Sequence, residues 1–330
     1  MEMTTHVALD SGTGETKVLK FCQGADGSVE VTEMAKLDSL KGLFVGAVDS
    51  AAVADLTREI QSAVKAASPS HCFAGLTSWF RTADQAEQDA VEAFFRDSLP
   101  NFEVLKLSGH EEALKESIAV TFAEKSGIGK PDTQVAAGGG SMQLVQGSEV
   151  YSLEQGFREG QAELMGNQPR RVVCASLEAR AKGRFAEFKA NNPSFAVTKG
   201  TIVGISAAYY AAKGAKIDCS KGVLASEVHE LFKVRKDELV ANCPPEDAEA
   251  PVSDKKVAQE IANVIIFCEL FEQLVHAESE IFFRRNWELD GVPFITTWSA
   301  GHFLQHAVSS SAEVNDTRPF VRRHIPSVFR

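Results

Sequence analysis

Two short glycine-rich stretches, each set between apolar runs, constrain this chain more than any other feature. The first reads Ala8-Leu9-Asp10-Ser11-Gly12-Thr13-Gly14-Glu15-Thr16-Lys17-Val18-Leu19, and the second Val135-Ala136-Ala137-Gly138-Gly139-Gly140-Ser141-Met142-Gln143-Leu144-Val145. Gly12 and Gly14 recur as Gly138 and Gly140, so one strand–loop–strand device is used in each half of the chain. Glycine opens backbone angles closed to other residues and lets amides approach a ligand closely. A hairpin turn would account for either stretch alone. Hairpin needs do not account for two matching stretches. Successive amides in such a loop form an anion-binding concavity, and the pair predicts a phosphate site between two related domains.

Composition supports that division. The 330 residues exceed a single typical core. Hydrophobic residues at 44% and charged residues at 24% are ordinary for a globular protein. A net charge of −11 and a pI near 5.3 argue against nucleic-acid or anionic-membrane surfaces and against a long polyphosphate as main ligand. A small, metal-chelated phosphate stays compatible. No apolar run of about 18 residues marks a membrane span. Met1 to His6 lack a signal-peptide pattern, so a cytoplasmic location is expected, or a secreted one if a leader was removed. The six cysteines show no CxxC spacing, which disfavours zinc and favours reduced thiols.

Alternating or apolar runs predict strands over 5–9, 17–22 and 29–33, an antiparallel meander carrying the first loop. Helical spacing of Val53, Leu56, Ile60 and Val64 predicts a helix over 51–67. A strand at His71–Gly75, a helix at Ala83–Leu99, a strand at Phe102–Leu107 and a helix from Glu111 to about Lys125 follow. The second half repeats the scheme, with strands at 134–137, 142–146 and 149–153. Helices are expected at 172–189, 203–213, 222–233 and 255–281. Asn242–Asp254 reads as an exposed loop, Pro293–Thr297 as a short strand and Gly301–Ser309 as a helix. Strands then helices, twice over, give an α/β architecture of two lobes with a cleft.

Several residues have the chemistry that a phosphate site needs. Asp10, at the end of a strand, is suited to holding a metal-bound water, though a turn-starting Asp often bonds its own backbone. Lys17 offers a point charge beside the hydroxyls of Thr13 and Thr16. Thr77 and Arg81 flank a short turn, and the arginine fork suits phosphate; a helix cap and a surface charge are the alternative. Glu111 and Glu112 sit at a helix start, where acids are common, and either could act as a general base. Ser141 could bond phosphate and Gln143 orient a water. Tyr209, Tyr210 and Trp298 either stack on a base or pack in the core.

The order of these segments resembles the signatures of the apyrase (nucleoside triphosphate diphosphohydrolase) family. Asp10–Lys17 resembles D-A-G-S-T-G-T-R, and Leu76–Arg81 resembles A-T-A-G-M-R. Ser108–Ala113 resembles S-G-E-E-E-G, and Gly138–Gln143 resembles D-L-G-G-A-S-T-Q. Gly204–Tyr210 is similar to F-S-x-Y-Y, and Trp298–Gly301 to W-x-L-G. Exopolyphosphatases share the first four motifs; the last two favour the apyrase branch.

The resemblance implies two related actin-like (ribonuclease H-like) lobes with an interlobe cleft. Lobe I would span 1–130 plus 300–330, and lobe II 131–299. It implies hydrolysis of the terminal phosphate of nucleoside tri- or diphosphates by water, with Mg²⁺ or Ca²⁺ and a small-molecule nucleotide as the partner. Glu112 would be the base, with Glu111 the fallback. Gly12, Thr13, Gly14, Thr16, Lys17, Thr77, Arg81, Gly138, Gly139, Gly140 and Ser141 would hold phosphates. Gln143 would position the water, Asp10 would serve the metal, and Tyr209 and Tyr210 would flank the base. The family's second metal-side aspartate falls on Ala136 here, Trp79 replaces a glycine, and Glu15 adds negative charge to the first loop. A nucleotide-binding protein with little turnover, or an exopolyphosphatase-like phosphatase, is the alternative expectation.

Overall fold

A computed structural model of the chain describes residues 4–24, 28–44, 48–124, 128–153, 155–195, 199–285, 287–289 and 292–314. Two compact units emerge, Met1–Gly129 with Asn286–Arg330, and Lys130–Arg285. The first opens with the antiparallel strands β1 (Thr4–Ser11), β2 (Thr16–Gln23) and β3 (Val29–Leu37). Helices α1 (Leu40–Phe44) and α2 (Ser50–Ala67), strand β4 (His71–Leu76), helices α3 (Ser78–Thr82) and α4 (Gln85–Ser98), strand β5 (Phe102–Lys106) and helix α5 (Gly109–Ala123) follow. The two later strands join in parallel, giving the order β3-β2-β1-β4-β5. Strand alternation sends Val7, Leu9, Val18 and Ala74 to one face, against Leu56, Ile60, Val91 and Phe95. His6, Phe21 and Phe73 belong to the opposite face, together with Asp10.

The second unit repeats that plan. Its hairpin strands β6 (Thr133–Ala137), β7 (Met142–Gln146) and β8 (Glu149–Leu153) precede helices α6 (Phe157–Leu164) and α7 (Arg170–Asn191). Strand β9 (Thr201–Ser206), helix α8 (Ala207–Gly214), strand β10 (Val223–Leu224) and helix α9 (Ala225–Lys236) come next. A π-helical turn (Asp237–Ala241), helices α10 (Pro245–Ala248) and α11 (Lys255–Leu274), and strand β11 (Glu280–Arg284) complete it. The order β8-β7-β6-β9-β11 matches that of the first sheet, with β10 added at the edge. Helix α11 is buried on nearly every side from Ile261 to Phe271, and Ile261, Ile265 and Phe267 pack into a core with Phe185 and Phe232. The chain then returns to the first unit through strands β12 (Trp287–Leu289) and β13 (Val292–Phe294) and helix α12 (Trp298–Val314).

Several expected boundaries are corrected. Residues 203–206, expected in a helix, form the end of β9, and α8 starts at Ala207. A continuous buried apolar run such as Ile202–Ile205 does not distinguish strand from helix by periodicity. The helix expected to reach 281 ends at Leu274, because Glu280–Arg284 pairs in parallel with β9. The helix expected from 222 starts at Ala225 after a two-residue strand, and the loop 242–254 holds a helical turn behind Pro244. The strand expected over 293–297 lies at Val292–Phe294. Trp287–Leu289 and residues 292–299, placed in lobe II by sequence, belong to the first unit: Trp287 Nε1 donates to Glu124 Oε1 at 2.6 Å and Trp298 Nε1 to Asp10 Oδ1 at 2.7 Å. The expectations for Met1–Met3, Lys125 and the segment 315–330 lie outside the described residues. No helix among the described residues is long and apolar enough to cross a membrane.

Candidate functional site

Both glycine loops are four-residue hairpin connections of one construction. Ser11 pairs with Thr16 around the first and Ala137 with Met142 around the second. Gly12 N–H donates to Glu15 O at 3.0 Å, and Gly138 N–H donates to Ser141 O at 2.8 Å. Positive φ among the described glycines occurs at Gly129 and Gly147, not within either loop. A Cβ on Gly12 or Gly138 would meet Glu15 O or Ser141 O at 3.6 Å, ordinary contact, so packing within the structure does not require glycine at either position. Gly156, which the sequence reading passed over, does need to be bare. A Cβ there would lie 2.1 Å from Gly139 O, so the second loop rests on a bare backbone.

Beneath the first loop, side chains fix its shape. Ser39 Oγ donates to Gly12 O and Thr13 O, and Trp79 Nε1 donates to Ser11 O at 2.9 Å. Trp79 is buried and braces the strand end from below. Thr16 is fully buried, with its hydroxyl accepting from Leu40 N at 3.4 Å, and Thr77 Oγ1 donates to Ser11 O at 3.0 Å. Both support the loop from inside. Thr13 stays at the rim, 3.3 Å from Ser78 Oγ.

Gly75, Asp10, Lys17 and Lys36 form one row across β4, β1, β2 and β3. Gly75 has no side chain because the Trp298 indole lies where its Cβ would be, at 2.2 Å. Trp298 is thereby a core residue, and its N–H fixes the Asp10 carboxylate. Burial pushes the Asp10 carboxyl above its ordinary value, while the Lys17 ammonium and the Trp298 bond oppose the shift. Burial alone would lower Lys17, but Asp10 and Glu15 hold it above its usual range.

Helix α5 settles which glutamate of the pair faces inward. Ser108 Oγ accepts from Glu111 N, and Glu111 Oε2 accepts from Ser108 N at 2.9 Å, a reciprocal capping box. Those bonds from Ser108 also depress the Glu111 carboxyl. Glu112, with a side chain 13% exposed, accepts from Arg81 Nη1 at 3.2 Å, and Arg81 also donates to Leu107 O at 2.9 Å. One helical turn on lies Glu116, which the sequence reading missed. It is 9% exposed, and its Oε2 has no hydrogen-bond partner. Burial, then Glu112, then Asp10 push its carboxyl well above the usual range. Its i+4 spacing from Glu112, which puts both on one helix face, was the available signal.

Hard oxygen donors such as Asp10 and the orphaned Glu116 oxygen suit Mg²⁺ or Ca²⁺ in kind. Among the described residues no three His, Cys, Asp or Glu side chains converge closely enough to cage an ion.

In the second unit, Ala136 is a buried methyl in register with Gln143 and Ile205. Gln143 is buried as well, and its Nε2 donates to Ser141 Oγ at 2.8 Å. Ala137 is in register with Ser206, so the second loop and the start of α8 share one sheet edge. Ser206 holds φ +59° there, a sparsely populated angle for a residue with a Cβ. Tyr209 packs against the core, whereas Tyr210 is 49% exposed with the Arg285 guanidinium 5.8 Å over its ring.

The sequence matches no family model and no curated protein. Solved structures do match. A Ppx/GppA family member from Aquifex aeolicus is 16% identical, with a TM-score of 0.65 over 94% of this chain and 99% of that one. An exopolyphosphatase from Cytophaga hutchinsonii is 15% identical, with a TM-score of 0.64 over 93% and 98%. A nucleoside triphosphate hydrolase structure from Neospora caninum is 11% identical, with a TM-score of 0.54 over 94% and 93%. The fold of this chain is theirs. It is the actin-like α/β plan, in which each unit carries its own sheet and glycine hairpin.

Proposed function

We propose that this protein is a divalent-metal-dependent phosphohydrolase that directs water at the terminal phosphate of nucleoside tri- or diphosphates. The observation that carries the reading is the inward Glu112, held by Arg81 while its neighbour Glu111 is spent on the helix cap. In this reading Glu112 takes the proton from the attacking water, the role of a general base. Loop amides of Gly12–Gly14 and Gly138–Gly140, with Thr13, Lys17, Arg81 and Ser141, bind phosphate. Thr16 and Thr77 shape the first loop. Gln143 orients the water, and Tyr209 and Tyr210 mark the nucleobase side. Asp10, fixed by Trp298, serves the cation, which when bound would neutralise phosphate charge. Such chemistry asks mainly for positioning and electrostatic stabilisation. Relatives in fold include an exopolyphosphatase and a nucleoside triphosphate hydrolase, which supports a phosphate-bearing substrate.

A second reading has its own observation. Ala136 leaves no carboxylate on the second unit's first strand, and a protein that binds nucleotide with little turnover fits that loss. Thermal stabilisation by nucleotides, measured beside phosphate release, separates the two. Stabilisation with release supports hydrolysis, and stabilisation without release supports the binding protein. Neither effect with any nucleotide or inorganic polyphosphate overturns both.

A further inference from the structure

Two lysines stand opposite each other at the foot of the first loop. Lys17 and Lys36 are direct cross-strand partners on β2 and β3, a position in which like charges repel. Glu15, from the loop itself, makes the arrangement tolerable. Its Oε1 lies 3.3 Å from Lys17 Nζ and its Oε2 lies 2.5 Å from Lys36 Nζ. A loop carboxylate thus occupies the space between two ammonium groups, next to a turn whose amides suit an anion.

The bridge is built to open. The Lys36 side chain is 60% exposed and the Lys17 and Glu15 side chains about a third, so water reaches all three. Burial works against the Glu15 charge, but the Lys36 and Lys17 contacts hold its carboxyl below the usual range. Exposed bridges of this kind contribute roughly 0–1 kcal/mol. A phosphate group carries more charge and more acceptor oxygens than a carboxylate, so it outcompetes Glu15 for the same two ammoniums.

We infer that Lys36 and Lys17 form a two-lysine subsite for a terminal phosphate, with Glu15 as the internal occupant that the phosphate displaces. The inference rests on the proposed phosphate-binding role of the first loop. It adds Lys36, which none of the sequence motifs included, and gives Glu15, the acidic departure within the first motif, a role. A dianionic end group is the ligand class; a monocarboxylate such as acetate gains nothing over Glu15. The end group can belong to a nucleotide or to a short inorganic polyphosphate.

Calorimetric titration with inorganic tripolyphosphate and, separately, with ATP, both in EDTA so that no turnover intervenes, tests this. Lys36→Met is expected to weaken tripolyphosphate binding about tenfold, and Glu15→Gln to tighten it about tenfold. Lys36→Arg should retain the wild-type affinity, which guards against a folding artefact. Equal changes for the two ligands assign the subsite to the shared phosphate tail. Unchanged affinity in Lys36→Met, or weaker binding in Glu15→Gln, overturns the inference. The hydrolytic reading is judged separately by phosphate release. Loss of release with these affinity changes intact rejects the enzyme and keeps the subsite.

Discussion

The two glycine hairpins share a backbone and differ in nearly everything attached to it. Each closes with one amide-to-carbonyl bond, Gly12 to Glu15 and Gly138 to Ser141, and each joins the first two strands of a sheet of the same order. Around the first stand Asp10, Glu15, Lys17 and Lys36, with Glu112 and Glu116 on the nearby helix. Around the second stand Ala136, Ser141 and Gln143, which carry no charge, and Arg158, whose backbone N–H donates to Gly139 O at 2.9 Å, with no carboxylate among them. Backbone amides bind anions whatever the side chains, so a duplicated loop keeps that capacity at no sequence expense. Acid–base and metal chemistry need particular side chains, and here one copy carries them. In the proposed reading the first hairpin carries the reactive side chains and the second holds phosphate through its amides.

Breaking the charged side should have the largest effect. Glu112→Gln is expected to lower kcat by roughly 10²–10⁴ with little change in melting temperature, whereas Gln143→Ala should cost less. Steady-state kinetics beside a thermal melt checks both. Supplying a carboxylate beside the second hairpin should narrow the contrast. Ala136→Asp is expected to raise divalent-metal affinity or activity by roughly 10–100-fold, read from Mg²⁺ titrations of turnover and of Tm. Gly75→Ala sharpens the role of the Trp298 brace. Its new Cβ meets the indole at 2.2 Å, so a loss of about 1–3 kcal/mol in denaturant unfolding is expected, together with release of Asp10.

A smaller effect concerns pH. Burial lowers His6 to about 4 and His302 to about 3, helped by His71 and His306 in the first case and by Lys115, His306, His71 and His6 in the second. The unfolded chain therefore binds more protons below the usual histidine value of about 6.5. Stability is present above that pH and is lost as pH falls toward 4 and below. His302→Phe should flatten the dependence of Tm between pH 7 and 4. Glu116 has the opposite sign. Its raised value means stability present below the ordinary glutamate range is lost as pH rises. Glu116→Gln should raise Tm slightly at pH 8 and not at pH 4.

Much of this was legible in the sequence because it is local. Both hairpins and the first-unit strands follow from turn residues and alternation within a few positions. The inward glutamate was legible from one spacing. The Ser108-x-x-Glu111 spacing of a capping box would have singled out Glu111 as the spent member of the pair, but the sequence reading did not use it. Strand β9 reads as helix because its apolar run passes into the alanine-rich α8 without a break. The Trp298–Asp10 bond joins opposite ends of the chain, and no local pattern announces it. Gly75 could be explained only once that indole was in place.

The most direct test of a reactive first hairpin is phosphate release from NTPs, NDPs and polyphosphate with Mg²⁺, Ca²⁺ or EDTA, comparing wild type with Glu112→Gln. Metal-dependent release from nucleotides that is lost in the folded variant is the predicted result. Release that persists undiminished in Glu112→Gln, or no release by the folded wild type from any substrate, would contradict it.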